Sequence, residues 1–153
     1  MVGRFVGACD PDSVSDAVFS GLLLASAYAL IAALAFLFAT HSLVFMFLEP
    51  DSSAATLALA IWGTQLNAFI IFIISWSGIL GGALRGAGDT YGAMTIFATF
   101  WWSQFFLMFI LVRLVALAPD DVLAIHVFSS PLLLIAMMIR FRSGVWRKFK
   151  LTG

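Results

Sequence analysis

Carboxylates are absent from three long stretches of this chain: none lies between Asp16 and Glu49, between Asp51 and Asp89, or between Asp89 and Asp120. Charged residues of both signs make up 10% of the 153 residues, against about 25% in soluble domains. Together with 63% apolar residues and a mean hydropathy of +1.08, this scarcity excludes a water-soluble globular domain. Cysteine is limited to Cys9, so neither an internal disulfide nor a cysteine metal cluster can form. No His or Cys spacing suggests a metal, and the glycine-rich turn at 82–90 lacks the Lys-Ser or Lys-Thr pair with which a P-loop holds phosphates. No catalytic constellation and no cofactor motif is visible, and enzyme activity is not expected. The first 16 residues carry one Arg and three Asp, unlike the basic start of a secretory signal, and the apolar run behind them is too long for one.

In place of charge there are four apolar runs, at 17–39, 55–80, 91–115 and 122–139. A helix of about 20 apolar residues crosses the roughly 30 Å hydrocarbon core of a bilayer. The runs therefore predict an all-α integral membrane protein of four antiparallel transmembrane helices, with a turn over 1–16, a membrane region over 17–141 and a basic tail over 142–153. The connections are too short for anything but up-and-down neighbours. Arg4, Arg85, Arg140, Arg142, Arg147, Lys148 and Lys150 fall before the first run, between the second and third, and after the fourth. The other two turns hold Glu49 and Asp51, then Asp120 and Asp121. Because Lys and Arg in short loops stay on the cytoplasmic side, both termini and Arg85 are expected in the cytoplasm. Arg113, far along the third run, is placed to snorkel at the outer boundary. The tail interleaves basic and aromatic residues, a pattern that beside a span engages anionic lipid headgroups rather than nucleic acid.

Local signals mark the helix ends. Asp12 or Ser13, Ser52 or Ser53, Asp89 or Thr90, and Asp120 or Asp121 are the expected N-caps, with Pro50 and Pro119 just before two of them. The segment from His41 to Leu48 reads either as an extension of the first helix or as a short amphipathic turn at the outer surface. Gly78, Gly82 and Gly86 recur every four residues and predict a smooth face for close helix packing, a hinge being the other reading. Gly3, Gly7, Ala8 and Asp10 echo Gly82, Gly86, Ala87 and Asp89 at a constant offset, which fits either an old hairpin duplication or two similar turns.

Two helix faces combine glutamine with aromatic rings. Trp62, Gln65, Phe69, Phe72 and Trp76 share one face of the second helix; Trp101, Gln104, Phe105 and Met108 share one of the third. Such faces suit a cavity for flat lipophilic cations. They equally suit rings turned to lipid with each glutamine bonding a neighbouring helix. His126 is the lone titratable candidate for coupling to protons, and a structural role is the competing reading.

The turn Leu84-Arg85-Gly86-Ala87-Gly88-Asp89-Thr90, followed by Trp102 and Gln104, resembles the multidrug and toxic compound extrusion (MATE) family. The opening Val2-Gly3-Arg4 with Gly7-Ala8-Cys9-Asp10-Pro11, and the ending Arg140-Phe141-Arg142-Ser143-Gly144-Val145-Trp146, resemble that family's other cytoplasmic turn and the C-termini of several prokaryotic members. The resemblance implies a cell-membrane antiporter that expels amphipathic or cationic small molecules in exchange for H+ or Na+. Its fold implies twelve helices in two lobes, of which this chain matches the last four. The coupling aspartate that many members keep in the first lobe is then outside the chain, and the acid that one branch keeps in the tenth helix has no counterpart here. Arg4 stands where glutamine is usual. The coupling ion is accordingly expected to bind helices other than these, and the chain alone is expected to be incomplete. A small four-helix multidrug transporter working as an oligomer is the alternative, disfavoured because that class depends on a first-helix glutamate; a non-transporting membrane subunit is the other.

The charge pattern makes a direct test of orientation available. Cysteines introduced beside Asp51 and Asp120 should react with an impermeant maleimide from outside the cell while Cys9 stays protected, and the reverse labelling pattern overturns the assignment.

Overall fold

In a computed structural model, residues 11–49 and 51–148 are described, with side chains from 13 to 147. The opening motif, its Arg4 and Cys9, the echo of the glycine turn, Pro50 and the end of the tail lie outside the described residues. The described residues are helical in six pieces: α1 Pro11–Phe38, α2 Thr40–Phe45, α3 Ala54–Gly86, α4 Thr90–Arg113, α5 Pro119–Ser129 and α6 Pro131–Arg142, closed by a 3-10 turn at Val145–Lys148. Four stretches, with α5 and α6 counted together, are long and apolar enough to cross a membrane. The all-α, four-span architecture is as expected.

α1 starts earlier than the hydropathy suggests, so it takes in 11–16, and Asp12 and Ser13 lie inside its first turn rather than at a cap. The cause is visible one turn on: Val14 and Val18 are both buried, so the core-facing stripe continues into that segment with helical spacing. α2 is a separate piece. The chain bends at Ala39, whose φ of −102° and ψ of 15° leave the helical region, and Thr40 then turns its hydroxyl back onto the carbonyls of Phe36 and Leu37. Phe45, Met46 and Phe47 beyond it are exposed.

α3 is the longest element, 33 residues, and touches every other helix; α1 packs along it more extensively than any other pair. Ser53 caps it, accepting from the Thr56 amide at 3.1 Å. The last span is not one helix. Pro131 has no N–H to give the Val127 carbonyl, and that carbonyl instead accepts from Ser130, through its amide at 3.1 Å and its hydroxyl at 2.6 Å. At the start of α5 the cap position is Ala118, with Pro119 in the first turn. Asp120 and Asp121 therefore do not cap the helix but lie in its first turn, where their charge favours the positive end of the dipole.

The buried core gathers at one end of the bundle, the end expected to be cytoplasmic. There Val14 and Val18 meet Leu80, Leu84, Leu133, Met137 and Trp146. Close packing on α3 does not use Gly78 or Gly82, two of the three expected glycines. A Cβ on Gly78 or on Gly82 would meet nothing within 4 Å, whereas one on Gly81 would fall 2.6 Å from the Phe97 ring. On α1, Gly21 gives the matching approach, 3.3 Å from Ile79 Cγ2. The spacing of Gly78 and Gly82 is helical, but their face points away from the neighbours.

Replacement by Leu separates the two faces. Gly81→Leu should lower the yield of folded protein in detergent and its unfolding midpoint, by about 1–3 kcal/mol for an overpacked contact. Gly78→Leu and Gly82→Leu should leave both near wild type, and equal damage from all three would contradict this packing.

Candidate functional site

The motif turn is built from the end of α3. Leu84 is fully buried and fixes the last turn of the helix. The backbone then reverses: the Gly88 amide donates to the Arg85 carbonyl at 3.0 Å and the Asp89 amide to the Leu84 carbonyl at 2.9 Å. This pair of bonds needs a left-handed residue between them, and Gly88 supplies it at φ 90°. Gly86 ends α3, Arg85 stays exposed, and Thr90 opens α4 with its side chain exposed.

Asp89 is where these constraints converge. It is 1% exposed and caps α4, accepting from the Gly92 amide at 3.2 Å. Both its oxygens are also taken by Arg140 of α6: Nε donates to Oδ2 at 2.7 Å and Nη2 to Oδ1 at 3.0 Å. The bidentate fork is the strongest form of carboxylate pairing available to a protein. Gly92 makes room for it, since a Cβ there would stand 2.5 Å from Asp89 Oδ1 and 2.7 Å from Arg140 Nε. One carboxylate thus ties the α3–α4 turn to the end of the last span. Neither Arg140 nor Gly92 was singled out as its partner from sequence, and no local signal joins residues 51 positions apart.

A second cluster lies deeper. Gln104 is buried and its Nε2 donates to Ser129 Oγ at 2.8 Å, while His126 Nδ1 is 3.3 Å from its Oε1. Ser129 has one proton, which it gives to the His126 carbonyl at 2.8 Å, so toward Gln104 it can only accept. That fixes the amide orientation and, in turn, the histidine nitrogen facing it: Nδ1 carries the hydrogen toward Gln104 Oε1. Three side chains and one carbonyl close a ring between α4 and α5, beside the Trp101 ring at 6.4 Å from the imidazole. Gln104 and Ser129 also floor an open hollow of about 470 Å³ between α4 and α6, whose α4 wall bears Thr95, Thr99 and Ser103. These hydroxyls recur every four residues, a spacing visible in the sequence itself.

The other residues of the two faces do not meet there. Trp62 is 41% exposed and lines a separate hollow of about 690 Å³ at the N-terminal ends of α3 and α5. Gln65 is exposed, as are Phe69, Trp101 and Phe105, while Phe72 and Met108 are half-buried. Trp76 turns toward α1, donating to Ser26 Oγ at 2.9 Å. Within the described residues the α3 and α4 faces thus open on different hollows. No three His, Cys, Asp or Glu side chains among the described residues are grouped to hold a metal.

The ion pair can be tested by charge and by volume. Arg140→Gln and Asp89→Asn should each cost about 1.5–3 kcal/mol of unfolding free energy, and the double variant should cost much less than the sum. Gly92→Ala should reproduce the loss without removing either charge. Additive losses in the cycle would show that the two side chains do not depend on each other.

Compared with known proteins, the chain matches a family model described as MatE over residues 1–100, which takes in α1, α2, α3, the motif turn with Asp89 and the first part of α4. Neither a curated protein nor a solved structure matches it. With more than half of its length covered, including the turn on which its packing converges, this multi-pass membrane chain belongs to the MatE family, a family of multidrug and cation efflux transporters.

Proposed function

We propose that the chain forms part of an antiporter that expels amphipathic or cationic small molecules across a prokaryotic cell membrane, driven by a proton or sodium gradient. In this reading both termini are cytoplasmic and the four spans belong to the C-terminal lobe of a larger assembly of helices. One observation carries the assignment of a route: the hollow between α4 and α6 combines a fixed, hydrogen-bonded Gln104 with a row of hydroxyls and a mostly apolar wall. Ligand sites have this make-up, apolar lining with a few oriented polar groups. His126 reaches it only through its contact with Gln104, and Trp101, Gln65, Trp62, Phe69 and Trp76 belong to other faces that additional helices would complete.

Coupling to an ion needs an ionisable group that can be exposed to either side. Asp89 is occupied by Arg140, and His126 is held in the ring. The coupling ion is therefore assigned to helices supplied by the rest of the assembly, and the hollow between α4 and α6 and that beside Trp62 call for the same helices as walls. In inverted vesicles, the 153-residue chain alone should not move a fluorescent organic cation under an ion gradient. Co-expression with a polypeptide carrying the preceding helices should restore transport, and Gln104→Ala should then slow it about fivefold, the effect of one lost hydrogen bond. Gradient-driven transport by the isolated chain would overturn the reading in favour of a self-sufficient oligomer.

A further inference from the structure

On the opposite side of the bundle, a groove of about 220 Å³ runs between α1 and α6 over α3. Ser15, Val18, Phe19 and Leu22 form its α1 wall, all on one face of that helix. Trp76 and Leu80 form the floor; Met138, Phe141 and Arg142 form the other wall. From Ser15 to Leu22 the wall extends about 10 Å at the helical rise. The polar members, Ser15 and Arg142, are at one end, at the limit of the last span, and the remainder is apolar.

Among the described residues no carboxylate pairs with Arg142. The ion pair between Arg140 and Asp89 is the one salt bridge among the described residues, and Arg142 is exposed. A second guanidinium stands close: Arg147 lies 5.3 Å from the Trp146 ring centre, and Trp146 stacks at 5.6 Å on Phe141, the groove's own wall. Trp146 is anchored there by its indole N–H, which donates to the Phe141 carbonyl at 2.9 Å. The groove therefore ends on Arg142, with Arg147 joined to its Phe141 wall through Trp146, beside an apolar trough of the length of half an acyl chain.

We propose that this groove is a binding site for one anionic phospholipid, its phosphate held by Arg142 and Arg147 and an acyl chain laid along Val18, Leu22, Leu80 and Met138. The site is independent of the transport reading. Arginine matches a phosphate through paired N–H donors, and basic residues beside a span attract anionic headgroups. The apolar trough adds what a free phosphate cannot use.

Native mass spectrometry of the whole chain, stripped of lipid and offered equal phosphatidylglycerol and phosphatidylcholine, decides the matter. A single phosphatidylglycerol adduct should be retained in preference, and Arg142→Gln or Arg147→Gln should each reduce its retention about fivefold. Arg142→Lys should keep part of it, and Leu22→Trp should block it by filling the trough. Should that bulkier variant fail to fold, the arginine variants, both at exposed positions, decide alone. Equal retention of the two lipids, or no effect of the arginine variants, overturns the proposal. So does competition by glycerol 3-phosphate as effective as by the lipid, or a lipid-free dimer that Leu22→Trp dissociates, which would assign the groove to a second copy of the chain.

Discussion

The bidentate pair between Asp89 and Arg140 is the constraint on which the packed end of the molecule depends. Around it Gly88 reverses the chain, Gly92 leaves room, Leu84 anchors the turn and Met137 and Trp146 close over the core. A carboxylate buried to this degree would be strongly destabilising without a partner. The fork satisfies both oxygens while the Gly92 amide caps the helix, so one side chain fixes a helix start, a turn and the approach of the last span. Away from that end, where apolar surface gives no drive for association in lipid, the side-chain bonds between spans are few: Trp76 to Ser26, and the ring of Gln104, Ser129 and His126. Polar bonds, not apolar burial, hold the spans in register.

What the sequence made legible follows the range of the interaction. The spans, the cap at Ser53 and the cap at Asp89 are set by residues within a few positions, and each was readable. The partnership of Asp89 with Arg140 is set by topology and was not. The glycines show the same limit in another form. Spacing reveals that Gly78 and Gly82 share a face but not where the face points; Gly81, one residue or about 100° around the helix, is the one that meets Phe97. The bend at Pro131 was open to inference, since a mid-helix proline always orphans a carbonyl, yet hydropathy runs across it without a change. Of the candidate site, Gln104 and His126 were each noticed singly. Their ring was hidden because it needs the third and fourth spans side by side.

The two sides of the bundle differ in chemistry. Between α4 and α6 the lining is mostly apolar with hydroxyls and an amide and without charge, suited to a solute that passes through and must not be held tightly. Between α1 and α6 the lining is apolar with arginine at the rim, suited to a component of the membrane that stays. α6 forms a wall of both, and its end is pinned by Arg140.

The length of α3 bears on the depth of the motif turn. At 33 residues it is about 50 Å long, well beyond a hydrocarbon core of roughly 30 Å, and helix tilt of the usual size absorbs only part of the difference. Some of α3 must stand clear of the acyl chains. If its outer end is level with the short α2 and the start of α5, the surplus emerges at the other end and lifts Asp89 and Arg140 toward the headgroup region, where water can reach the exposed edge of the guanidinium. Salt can then reach the pair only from the guanidinium side, Asp89 being 1% exposed, so ionic strength should weaken the tie between the α3–α4 turn and the last span only in part.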